Sequence, residues 1–153
     1  MTINVRDAIA QDVAEIAAFN CAMALETENK VLDPAIVGPG VTRLVADAGL
    51  GRYFVAVDDT GARLGTLAIT TEWSDWRNGL FWWIQSVYVL PQARRSGVFS
   101  ALYSHIESLA RGEPDVCGIR LYVERDNERA QRTYTRLGMH ETEYRLYEVD
   151  FRG

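Results

Sequence analysis

The stretch from residue 80 to residue 100 constrains this chain more than any other. Residues 80–89 are nearly all apolar, the pattern of a strand covered on both faces and so central in its sheet. Pro91 ends that strand. A helix is then expected over residues 97–111, with Phe99, Leu102, Ile106 and Leu109 on one stripe and Gly112 and Pro114 as stop signals. Between strand and helix lies Arg94-Arg95-Ser96-Gly97-Val98-Phe99-Ser100. Unsatisfied N–H groups and the positive end of a helix dipole converge at such a point, which makes it suited to an anion. Gly97 lets the backbone approach a ligand closely, and a pyrophosphate would be held mainly by main-chain amides. Read from these residues alone, the loop is equally well a solvated basic turn at a helix start.

The remaining elements frame that unit. Residues 3–6 alternate and read as a first strand. Asp12, with Glu15 three positions on, makes a capping-box arrangement before a helix that ends near Glu28. Residues 30–40 contain Pro34, Gly38, Pro39 and Gly40, an irregular connection, and a second helix is expected over 41–47. Residues 53–57 and 64–71 are strands joined by Asp58-Asp59-Thr60-Gly61, a hairpin signal, and residues 72–79 form another connection. A strand over 119–124, a helix over 127–137 ended by Gly138, and an extended segment over 139–151 complete the chain. The order is β-α-α-β-β-β-α-β-α-β, an α/β (α+β) fold with a mixed central sheet and helices on both faces. No repeat or linker composition interrupts it, so residues 1–153 are expected to form a single domain.

Composition removes several function classes. The 153 residues carry 16 Lys plus Arg against 21 Asp plus Glu, a net charge of −5. Such a balance disfavours nucleic acid, which needs a basic face, and anionic membrane surfaces likewise. Cys21 and Cys117 stand apart with no clustered histidine, so neither a metal site nor a disulfide is suggested, and both are expected as buried free thiols. No apolar run approaches a membrane span and no leader pattern opens the chain, so a cytoplasmic location is expected.

Two motifs resemble a known family. Arg94-x-x-Gly97-x-Phe99, following Val87-Tyr-Val-Leu-Pro91, is similar to the pyrophosphate loop of the GNAT superfamily of N-acetyltransferases. Asn127-x-x-Ala130 and Tyr134-x-x-Leu137-Gly138-Met139 resemble the same family's second signature, in the family's order and spacing. Phe99 stands where the family has Gly or Ala; it is expected to point into the core with Leu102 and Ile106, leaving its N–H toward the ligand.

The resemblance implies a GNAT-like domain, acetyl-CoA as donor, no metal, and direct attack of a primary amine on the thioester through a tetrahedral intermediate. By it, Arg94, Arg95, Ser96, Gly97, Val98, Phe99 and Ser100 hold the pyrophosphate. Val87 and Val89 offer backbone groups where two strands splay apart, and Asn127 and Ala130 meet the pantetheine arm. Asn127 is also a preferred helix cap. Tyr134 is expected to protonate the leaving thiolate, since a phenol of pKa about 10 suits that step. Glu26 and Glu28 fall where the resemblance places the acceptor wall; either could attract a cationic amine or act as base through water. The expected acceptor is a small amine or amino-acid-like molecule. A non-catalytic acyl-CoA-binding module and an acetyltransferase of protein termini or lysines are the alternatives, and a homodimer fits the family. Trp82 and Trp83 are consecutive and should face opposite sides of a strand, while Trp73 and Trp76 line a pocket or pack a loop.

Overall fold

Alternation along one strand shows how the layers are built. In β2 (Arg52–Val57), Tyr53, Val55 and Val57 pack with Ile16 and Val41, while Phe54 turns to the other side and meets His105 edge-on, ring centroids 5.5 Å apart. Successive strand side chains point to opposite faces, so one strand contacts helices on both. This is a computed structural model describing residues 2–153. The chain divides into two units, one ending at Leu121 and the other Tyr122–Gly153.

The first unit holds β1 (Asn4–Asp7), α1 (Val13–Glu28), α2 (Pro34–Ala46), β2, β3 (Arg63–Ser74), β4 (Gly79–Val89), α3 (Val98–Gly112) and β5 (Val116–Arg120). The strands lie in chain order, antiparallel except for the parallel β4–β5 pair. It is the mixed sheet that the pattern predicts, with α1 and α2 on one face and α3 on the other. Burying a side chain such as Phe54, Ile16 or Leu67 stabilises by roughly 1.5–3 kcal/mol each.

Several details differ from expectation. The α3 stripe keeps Leu102 and Ile106 but has Val98 and Ala110 at its ends in place of Phe99 and Leu109, so Phe99 is half-buried beside Tyr103 (centroids 6.2 Å apart) and outside the core. Helix α2 starts seven residues early and runs through Pro39 and both glycines. Asp33 caps it, its Oδ1 accepting the Ala35 N–H at 2.9 Å, and Pro34 occupies the first turn, where a missing N–H costs nothing. Asp12 does not cap α1 with its side chain, and Glu15 pairs with Arg63. Strands β3 and β4 extend to a short turn at residues 75–78, leaving Trp73 and Trp76 exposed. Trp82 is buried and Trp83 half-buried, in line with their opposite facing. Both cysteines are free, yet Cys21 is half-buried and Cys117, on edge strand β5, is exposed.

In the second unit α4 (Glu128–Arg136) forms as expected, with the Asn127 Oδ1 accepting the Ala130 N–H at 3.2 Å and Gly138 in the left-handed region at φ +91°. The fifth strand ends at Arg120 rather than 124, and residues 139–151 form no strand. Tyr144, Leu146, Tyr147, Val149 and Phe151 are exposed there. An alternating segment becomes a strand only when a partner edge takes its N–H and C=O groups.

Candidate functional site

The end of β4 is irregular in three ways. Its ladder with β5 stops at Trp83, opposite Arg120, and among the described residues no strand pairs with that edge beyond it. On the β3 side, Thr66 is opposite Tyr88 but Ala68 is opposite Gln85, so two steps on β3 match three on β4. That is a β-bulge. Within it Ser86 takes φ +52°, a left-handed conformation uncommon outside glycine. Gly65 permits the close approach, since a Cβ there would lie 2.7 Å from the Tyr88 carbonyl oxygen.

The bulge and the lost ladder leave main-chain groups at an open edge. The Leu90 N–H bonds to the Leu64 carbonyl at 2.9 Å, and antiparallel residues alternate in direction, so Val89 points away from β3. Its carbonyl accepts the Arg94 Nε–H at 3.0 Å.

The next turn forms a cradle. Arg95 (φ +64°) and Gly97 (φ +87°) are both left-handed, and no side chain caps α3. Among the described residues, the N–H groups of Arg95, Ser96, Gly97, Val98 and Ser100 find no backbone acceptor, the first carbonyl of the turn being used by Ala101, whose N–H reaches Gly97 at 3.0 Å. A row of unclaimed donors at a helix start fits a phosphate group. Ser96 donates its hydroxyl to the Ala93 carbonyl, which braces the loop. Arg95 is exposed with no ion pair among the described residues.

Arg94 is differently engaged. Its guanidinium reaches the Glu26 carboxylate at 2.7 Å and lies over the Tyr88 ring, 5.5 Å from the centroid, while the Tyr88 hydroxyl donates to the other Glu26 oxygen at 3.2 Å. Burial and the neighbouring Glu26 charge push the Tyr88 phenol up, so it remains a donor. The end of α1 is thus tied to the loop through one carboxylate. Glu28, two residues on, is exposed and pairs with Lys30 at 3.3 Å. The structure therefore separates two carboxylates that the sequence treats alike.

In the second unit, Tyr134 lies half-buried on α4, and burial pushes its phenol above the ordinary value. Asn127 and Ala130 are half-buried at the start of that helix, joined by the cap bond. The expectation of a cap at Asn127 holds.

Asn20, Tyr53 and Ser86 carry no motif, and sequence reasoning missed them. Asn20 and Tyr53 are buried, and the Asn20 amide donates to the Tyr53 hydroxyl at 2.9 Å. The available signal was polar residues at core positions of the α1 and β2 patterns. Among the described residues no group of His, Cys, Asp and Glu could hold a metal, and no helix is long and apolar enough to cross a membrane.

Comparison with known proteins agrees with this geometry. A model described as the acetyltransferase (GNAT) family matches residues 22–139. A curated relative, mycothiol acetyltransferase of Mycolicibacterium gilvum (strain PYR-GCK), is 37% identical over 91 residues; the match covers 56% of this chain and 28% of that protein. The chain thus spans under a third of that relative. The crystal structure of a possible acetyltransferase from Clostridium difficile 630 superposes with a TM-score of 0.91 at 41% identity, covering 98% of both chains. The aminoglycoside 6'-N-acetyltransferase AAC(6')-Ih of Acinetobacter baumannii shares the fold at 19% identity, with a TM-score of 0.76 over 99% of this chain and all of that one. The chain belongs to the GNAT acetyltransferase family.

Proposed function

We propose that the protein transfers an acetyl group from acetyl-CoA to a primary amine of a small molecule. The observation that carries this reading is the pairing of an open β4 edge beyond Trp83 with the unclaimed N–H groups of Arg95, Ser96, Gly97, Val98 and Ser100. The two features fit the two ends of acetyl-CoA, the thioester arm and the pyrophosphate. The named activities of the relatives, on mycothiol and on aminoglycosides, support a small-molecule acceptor.

In this reading the amides of Arg95, Ser96, Gly97, Val98, Phe99 and Ser100 hold the pyrophosphate, and Arg95 adds charge. Arg94 braces the loop against Glu26. Val87 and Val89 direct backbone groups toward the open edge, where a donor carbonyl would be oriented. Motif order assigns Asn127 and Ala130 to the pantetheine arm and Tyr134 to the departing sulfur. A raised phenol pKa keeps Tyr134 protonated at neutral pH, as a proton donor must be. The amine attacks the thioester carbon, sheds a proton to water on the acidic side of Glu26 and Glu28, and the C–S bond breaks as the sulfur takes the proton from Tyr134.

Calorimetric titration with acetyl-CoA tests the donor reading: saturable binding is expected, and its absence in folded protein would overturn it. Release of CoA thiol across a panel of primary amines tests the acceptor class, and tight binding without release would point to a non-catalytic module. Tyr134→Phe is expected to lower turnover about 100-fold while acetyl-CoA affinity changes little, because the hydroxyl acts on the leaving group. Equal losses in both would count against that role.

A further inference from the structure

The β4 bulge sits beside a buried polar pair that the proposed chemistry leaves unused. Asn20 on α1 and Tyr53 on β2 are both buried, and a hydrogen bond of 2.9 Å joins them. Polar pairs in a core are seldom the cheapest way to fill space, because each group must recover the hydration it lost. An apolar pair at these positions would cost less. Such a pair calls for a role in fixing geometry.

Register shows where it acts. Tyr53 is opposite Ala68, and Ala68 is opposite Gln85, so the three share one rung across β2, β3 and β4. Ala68 is small, which lets the long phenol lean across it toward β4. The residue after Gln85 is Ser86, the left-handed residue of the bulge, and its side chain is a polar neighbour of the Tyr53 hydroxyl. The Thr66 hydroxyl, opposite the far end of the bulge, is fully buried without a hydrogen-bond partner, and the Thr70 hydroxyl of β3 accepts from the Gln85 amide at 2.7 Å, one residue before Ser86.

We infer that Asn20 and Tyr53 are positioning residues which, through Ser86, hold the β4 bulge in its left-handed turn and thereby aim the Val87 main chain at the open edge. A left-handed serine costs roughly 1–2 kcal/mol relative to an ordinary conformation. Glycine would adopt that conformation freely, yet the position carries a hydroxyl within reach of Tyr53. This inference rests on the donor reading above, in which the open edge receives the acetyl carbonyl.

The test separates the two. Isotope-edited infrared spectra of carbonyl-labelled acetyl-CoA bound to the whole protein report hydrogen bonding to that carbonyl, and unaltered protein is expected to shift its stretch to lower frequency. Tyr53→Phe and Ser86→Gly should each lose most of that shift, with CoA affinity by calorimetry within about twofold of the unaltered protein. Ser86→Gly is the cleaner variant: its melting temperature should hold or rise, since glycine relieves the left-handed strain. A role confined to stability would instead make activity follow melting temperature. Full retention of the shift in Ser86→Gly overturns the inference, as does its retention in folded Tyr53→Phe. Failure of the unaltered protein to bind either CoA or acetyl-CoA would overturn the donor reading, and the inference with it.

Discussion

Two carboxylates in this protein, one holding two arginines and the other one, stand in opposite surroundings. Asp12 is fully buried, and accepts from Arg6 at 2.7 and 3.0 Å, from Arg63 at 2.6 Å and from the Ile9 N–H at 2.7 Å. It ties β1, the start of α1 and β3 together. Glu26 is partly exposed, its side chain at 39%, and holds one guanidinium and one phenol beside the loop. The first arrangement spends its bonds on the fold and the second on the placement of a few residues. Burial makes the difference: removing one partner of a buried pair strands the other charges, whereas exposed partners return to water.

The largest expected effect follows from breaking the buried hub. Asp12→Ala should destabilise the protein by about 3 kcal/mol, read as a lower urea midpoint at unchanged slope. The acid side sharpens the same contrast. Although burial opposes ionisation, the hydrogen bonds from Arg6, Ile9 and Arg63 outweigh it, and the Asp12 carboxyl is held well below the usual range. A group whose folded pKa is depressed contributes stability above its unfolded value and loses it as pH falls toward the folded one. The urea midpoint of the unaltered protein should therefore fall progressively below about pH 5, and Asp12→Asn should be less stable at neutral pH with a flatter acid dependence. An identical acid slope in Asp12→Asn would remove this carboxyl as its source.

The smallest effect on stability is expected at the loop. Glu26→Gln should cost under about 1 kcal/mol of folding stability, because Arg94 and Glu26 are both partly exposed. Its consequence should appear in binding: calorimetry is expected to show acetyl-CoA affinity several-fold weaker, with turnover at saturation near that of the unaltered protein. A lost turnover with intact affinity would instead identify Glu26 as the base.

The legible parts of the sequence are those whose cause is local. The apolar run of residues 80–89, the glycine-bearing turn after it and Asn127 at the head of α4 depend on side-chain type and near neighbours, and each stands as read. Helix α2 was hidden because Pro39, Gly38 and Gly40 are poor helix residues, while Asp33 and Pro34 supplied a start strong enough to carry the helix past them. Phe99 was misplaced because its neighbour Val98 takes the core position at the head of the stripe, which the packing of Val98 against β3 decides. The strand expected over 139–151 has the right alternation, yet pairing needs a second edge that no single segment contains.

The sequence by itself determined the order of elements as far as α4, the helix-start loop and the family, since motif spacing and periodicity are properties of a linear string. Only the tertiary structure decided which carboxylate holds Arg94, where the β4 ladder ends, and that Ser86 turns left-handed beside Tyr53. Those outcomes depend on register between strands and on contacts across 33 to 68 positions of chain, which are settled when the elements pack and not before.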